Sequence, residues 1–152
     1  DTYRIQAKQP YTSEDLNWHN NNSRANREQE DNNSRPEFAG QLPDLTKYDR
    51  ILIGHPTWWG IPPRIINTVI EKLDLSGKEI ATFSTSGGST YDQAQKVMNE
   101  LIGFDVKPGR VLSSKKDVEN WLRDINFNHV AITKGNSEWL EPVSDEEYNK
   151  LG

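Results

Sequence analysis

The chain contains no cysteine, one methionine and no strongly basic stretch. Without cysteine there are no disulfides, no thiol nucleophile and no thiolate metal site, and the redox compartment stays undetermined. The net charge is −5 and the isoelectric point near 5.2. The electrostatic footprint of a nucleic-acid binder is therefore missing. Long apolar runs are also missing: mean hydropathy is −0.88, and no stretch approaches membrane-spanning length or reads as a secretion signal. No nucleic-acid partner and no membrane partner are expected, and a cytoplasmic location is.

What is present is unevenly spread. The chain has 152 residues, a one-domain length. Residues 9–47 are polar, and the apolar runs fall between 50 and 126. Residues 3–8 alternate apolar and polar, which predicts a half-exposed strand at a sheet edge. The stretch after them, "NWHNNNSRANREQEDNNSRPEF", has the composition of a solvated loop. Within it a short helix over about 23–31 can form, stopped before Pro36.

From Asp49 the pattern sharpens. Ile51, Leu52 and Ile53 predict a strand covered on both faces. Pro62 or Pro63 can open a helix, whose apolar face is Ile61, Ile65, Ile66, Val69, Ile70 and Leu73. Gly77 reads as a turn, and residues 79–84 as the next strand. A second helix carries Tyr91, Ala94, Val97, Met98, Leu101 and Ile102 on one face. Residues 106–112 predict a strand broken at Pro108-Gly109. Val118, Trp121, Leu122 and Ile125 mark a last helix. Strands alternating with helices imply right-handed parallel crossovers and a three-layer α/β fold. Such sheets hold ligands at the carboxyl ends of their strands.

Two unusual loops follow strands and should share that rim. One is "HPTWWGI" (55–61), with two adjacent tryptophans; the other is "STSGGST" (84–90). Trp58 and Trp59 offer flat, polarizable faces. Gly87 and Gly88 allow close backbone approach, with Thr85, Ser86 and Ser89 adding hydroxyls. A flat heterocycle with hydrogen-bonding edges suits both. The plain alternatives are a tryptophan pair capping the core and a serine-glycine turn.

Residues 48–90, "YDRILIGHPTWWGIPPRIINTVIEKLDLSGKEIATFSTSGGST", closely resemble the central part of flavodoxin-like FMN proteins with a double-Trp loop. The similarity extends back through "SRANREQEDNNSRPEF" and forward to Trp121-Leu122, covering about residues 3–126. The resemblance implies a flavodoxin-like, doubly wound parallel sheet of order 2-1-3-4-5. It implies FMN as cofactor, with Pro56, Thr57, Trp58, Trp59, Gly60 and Ile61 packing on the flavin ring. Thr85, Ser86, Gly87, Gly88 and Ser89 would wrap its pyrimidine edge. The Gly60–Ile61 peptide is the candidate for redox tuning. A stacked, water-poor flavin would resist a second negative charge. The implied role is electron carrier, or NAD(P)H-dependent reductase, working with a redox partner protein or a small quinone-like acceptor. A flavin-free scaffold module of the same fold is the alternative from another class.

One part of the pattern has no counterpart. The family begins with a central strand and a loop that cradles the FMN phosphate, and nothing before Tyr3 matches either. Strand 1 of the sheet is thus expected to be absent from this chain, or supplied by its tail or by a partner. A longer parent protein, a strand-swapped homodimer, or tail filling by 130–133 are the three routes. Without a phosphate loop, FMN binding should be weakened or lost. The domain boundaries expected are 1–126 for the N-terminally incomplete flavodoxin-like domain and 127–152 for a C-terminal extension. His55, His19 and His129 lack partners at catalytic or metal-ligand spacing, so no catalytic residue and no metal site is expected.

Overall fold

The computed structural model describes residues 1–85 and 90–127. The elements run α1 (Arg24–Glu30), β1 (Arg50–His55), α2 (Arg64–Ile70), β2 (Glu79–Ser84), α3 (Asp92–Ile102), β3 (Lys107–Val111) and α4 (Lys115–Asp124). The strands form one parallel sheet in the order β1-β2-β3. Among the described residues β1 is therefore an edge. Its Ile51 and Leu52 are only half-buried and Gly54 is exposed, whereas Ile80 to Ser84 of β2 are all buried.

Alternation along β2 divides the core in two. Ala81 and Phe83 face Leu112, Val118, Trp121, Leu122 and Phe127, on the α4 side. Ile80 faces Ile53, Ile65, Ile66, Ile70 and Met98, on the α2 and α3 side. Helices thus cover both faces, as expected of an α/β layer structure. Phe83 lies so close over Gly54 that a Cβ there would collide with its ring. Trp121 meets Phe83 edge-on at 5.5 Å and donates its indole N–H to the Pro108 carbonyl at 2.9 Å.

Three expectations need correction. Residues 3–8 form no ladder with the sheet. Their one bridge is antiparallel, Ala7 to Phe38. Ile5 and Ala7 still pack on the α2-side core, so the alternation is real while the sheet neighbour is not. Among the described residues no strand lies outside β1. Second, α2 stops at Ile70, short of Leu73: the Lys72 and Leu73 amides turn to the carbonyls three residues back, at 3.0 and 3.1 Å. Third, Pro108-Gly109 does not break β3. The register moves from Ala81↔Lys107 to Phe83↔Arg110, one extra residue on β3, so the pair is absorbed as a bulge on an edge strand. The tail strand expected over 130–133 lies outside the described residues.

Candidate functional site

β1 and β2 end in register, with His55 opposite Ser84. The loops that follow them start side by side at one rim. The first closes as a tight turn: Trp58 N donates to Ile61 O at 2.9 Å, and Ile61 N returns to Trp58 O at 3.4 Å. Its central residues, Trp59 and Gly60, have φ of 57° and 83°. Two positive φ values in succession are those of a type I′ turn. Glycine adopts this freely, but a tryptophan does so only when its surroundings hold it there.

The holding comes from the segment that composition assigns to a solvated loop. Ser23 caps α1 through the Asn26 amide. Asn26 and Gln29, three apart on one helix face, are both buried. The Asn26 Oδ1 accepts the Trp59 indole N–H at 2.6 Å. Gln29 Nε2 donates to the carbonyls of Trp58 at 2.9 Å and Pro62 at 3.2 Å. The buried guanidinium of Arg64 fixes α1 from its other end, donating to Gln29 O at 2.7 Å and Glu28 O at 3.3 Å. These are carbonyls at the C-terminal end of α1, where a cation is favoured. Tyr11, whose hydroxyl bonds Glu28 and whose ring lies under the Arg24 guanidinium at 3.7 Å, meets Trp58 edge-on at 5.3 Å. Burial and the neighbouring Glu28 push the Tyr11 pKa upward.

A second tie joins the two loops from beneath. His55 Nδ1 lies 2.8 Å from the Pro56 carbonyl, and its Nε2 lies 2.7 Å from the Tyr91 hydroxyl. That hydroxyl is 2.6 Å from Thr82 Oγ1. A carbonyl only accepts, so the neutral ring carries its proton on Nδ1 and Nε2 accepts from Tyr91. Burial lowers the His55 pKa to about 4, against a smaller opposing pull from the Pro56 carbonyl. Burial likewise raises the Tyr91 pKa. His55 is thus a buried, uncharged group with both ring nitrogens in hydrogen bonds.

Among the residues expected to form the site, Trp59 stands out at 61% exposed. Pro56 is exposed too; Thr57, Trp58, Ile61 and Thr85 are half-buried, and Gly60 is buried. The structure brings the first loop and Thr85 to one rim. Ser86, Gly87, Gly88 and Ser89 lie outside the described residues. Two features suit a planar group here: the exposed ring of Trp59, and the Ser84 hydroxyl, buried at the rim with no partner among the described residues. A concavity of about 380 Å³ lies elsewhere, between α3 and β3, lined by Asp92, Gln95, Asn99 and Asp105. Val106 and Pro108 also line it, and Tyr91 is its one aromatic ring. Among the described residues no cluster could hold a metal ion, and no helix is long and apolar enough to cross a membrane. Sequence reasoning missed Tyr11, Asn26, Gln29 and Arg64. The available signal was Asn26 and Gln29 at helical spacing behind a Ser23 cap.

Comparison with known proteins gives a consistent pattern. A family model described as flavodoxin matches residues 1–125. No curated protein matches the chain significantly. Two solved structures assigned as flavoproteins are similar. One, from Bacteroides eggerthii, is 39% identical with a TM-score of 0.76, covering 82% of this chain and 80% of that one. The other, from Bacteroides uniformis, is 41% identical with a TM-score of 0.75, covering 80% of each chain. A flavoprotein from Lactobacillus acidophilus, solved in complex with FMN, is 26% identical with a TM-score of 0.58, covering 77% of this chain and 76% of that one.

Proposed function

The chain belongs to the flavodoxin family, and from that premise we propose that it is an FMN-binding redox protein working with a redox partner protein or a small quinone-like acceptor. Bound FMN would supply one- or two-electron transfer. The observation that carries this reading is the Trp59 indole, held in solvent on a turn whose backbone conformation a tryptophan ordinarily avoids. The FMN-bound relative from Lactobacillus acidophilus supports the choice of flavin.

The chain's own residues would act as follows. Trp59 and Trp58 present the stacking surface, and Pro56 and Thr57 form its approach. Asn26 and Gln29 keep the turn rigid, so little ordering entropy is lost on binding. Gly60, without a Cβ, lets the Gly60–Ile61 peptide meet the polar edge of the ring. Thr85 and the loop 86–89 would provide hydroxyl and amide partners for the pyrimidine edge, with the Ser84 hydroxyl behind them.

FMN titration with tryptophan emission as readout tests this. Saturable one-to-one quenching is expected, accompanied by visible flavin bands. Trp59→Ala should weaken binding about tenfold or more, the scale of one lost stacking contact. Absence of saturable quenching at micromolar FMN would leave a flavin-free binding module of this fold. NAD(P)H consumption with a quinone then separates reductase from carrier.

A further inference from the structure

By composition β3 is a poor strand. Its sequence is Lys107-Pro-Gly-Arg-Val111, and proline and glycine are depleted in strands. It pairs with β2 on one side only, so among the described residues its other side ends the sheet. A free edge offers amides and carbonyls to any extended chain, a second copy of the same chain included. On β3 those groups are already engaged. Val106 N donates to Asn99 Oδ1 at 3.0 Å, and Gly109 N donates to Gln95 Oε1 at 2.6 Å. Between them, Lys107 lies in the bridge to Ala81, and Pro108 has no N–H to give.

The two acceptors stand one turn apart on α3 and hold each other: Gln95 Nε2 donates to Asn99 Oδ1 at 3.2 Å and also reaches Lys107 O at 3.4 Å. The Gln95 amide therefore accepts from Gly109 and donates to Lys107, as a peptide group of a neighbouring strand would. Helix packing does not require this. α3 is anchored by Ala94 and Met98, both fully buried, while Gln95 and Asn99 are half-buried. The concavity beside them is walled by α3, β3 and the residues next to these elements alone. No other described element covers the strand there, so the two amides are its cover. The bulge and the cations Lys107 and Arg110 blunt the same edge.

We propose that Gln95 and Asn99 act as a surrogate strand that closes the β3 edge, so that a second copy of this chain cannot extend the sheet by pairing along β3. The device holds whether or not the chain takes up flavin.

Amide hydrogen exchange of the full chain, with sedimentation velocity alongside, tests this. In dilute wild type the Val106 and Gly109 amides should exchange at least about tenfold more slowly than in an unstructured chain. Gln95→Ala uncovers Gly109, and Asn99→Ala uncovers Val106. Each should self-associate where wild type keeps its size, and the uncovered amide should exchange about tenfold more slowly at about 1 mM than at about 10 μM. Gln95→Glu keeps an acceptor for the Gly109 amide and should sediment like wild type. Unprotected Val106 and Gly109 amides in wild type overturn the proposal, and that measurement needs no variant to fold. Alanine variants that keep the wild-type size up to about 1 mM overturn it as well. So does association of Gln95→Glu equal to that of Gln95→Ala. Association that leaves the uncovered amide unprotected overturns it too, because the contact would then lie at another surface.

Discussion

His55 and Tyr91 are joined by a 2.7 Å hydrogen bond between Nε2 and the phenolic hydroxyl. His55 opens the tryptophan loop, and Tyr91 immediately follows the second loop. The bond therefore ties the root of one loop to the end of the other, and Thr82 extends it into the middle of the sheet. A rim built this way does not depend on the loops' own sequences for its spacing. It depends on a neutral histidine.

That dependence predicts a pH response. The ordinary histidine pKa is about 6.5, and native His55 is lowered to about 4. A depressed folded-state pKa means the unfolded chain binds the proton more readily. The stabilisation is full above about pH 6.5 and is lost progressively as pH falls, levelling below about 4. The loss should be on the order of 3 kcal/mol. Urea denaturation between about pH 7.5 and 4 measures it. His55→Gln should be less stable at neutral pH but show a shallower fall over that window. An equally steep fall in the variant would assign the titration to another group.

Gly109 is the floor beneath this tie. A Cβ there would collide with the Tyr91 ring and stand 2.6 Å from the Thr82 carbonyl oxygen. The ring can shift, but the strand carbonyl cannot. Gly109→Ala should cost about 2–3 kcal/mol, in the range of overpacked cores. Adding Tyr91→Phe, which removes the hydroxyl and leaves the ring, should restore little. Thermal denaturation of the single and double variants reads both effects.

Much of this fold is legible from local pattern. β2 spans the predicted 79–84, and α3 and α4 bury Ala94, Met98, Val118, Trp121 and Leu122 on the predicted faces. Those residues announce their burial by apolar spacing alone. The supports of the tryptophan turn do not. Asn26 and Gln29 look like a solvated helix face because their partners, the Trp59 indole and the Trp58 and Pro62 carbonyls, lie 29 to 33 residues away. Periodicity cannot distinguish an amide facing water from one facing a distant carbonyl. The gap beside β1 is legible only through the family resemblance, which leaves strand 1 without a counterpart; Ile51, Leu52 and Ile53 alone read as fully covered, because local sequence says nothing about what neighbours a strand.

Asn26 offers a way to separate rigidity from contact. Asn26→Ala removes the acceptor for the Trp59 indole and the donor to the Trp18 and Asn20 carbonyls. Stability should fall by about 1–3 kcal/mol, the penalty for unpaired buried polar groups. The turn should also loosen, so flavin affinity should drop although no proposed ring contact is deleted. Asn26→Asp keeps the acceptor and should preserve more of the flavin affinity than Ala. Equal affinity in wild type and Asn26→Ala would mean that the turn needs no help from α1.

The tightest sequence requirement at the rim is at Gly60. Its φ of 83° disfavours any side chain, and a Cβ would collide with Gln93 Oε1 of α3. These two penalties can be distinguished. Gly60→Ala should destabilise by about 1–2 kcal/mol from the backbone alone, with a further contribution from the collision. Gln93 is exposed and its amide sits at the end of a flexible side chain, so Gln93→Ala should relieve the second part and leave the first. The double variant is therefore expected between Gly60→Ala and wild type in urea denaturation. Full recovery in the double variant would show that the left-handed conformation itself costs nothing, and that the turn relaxes once Gln93 is out of the way.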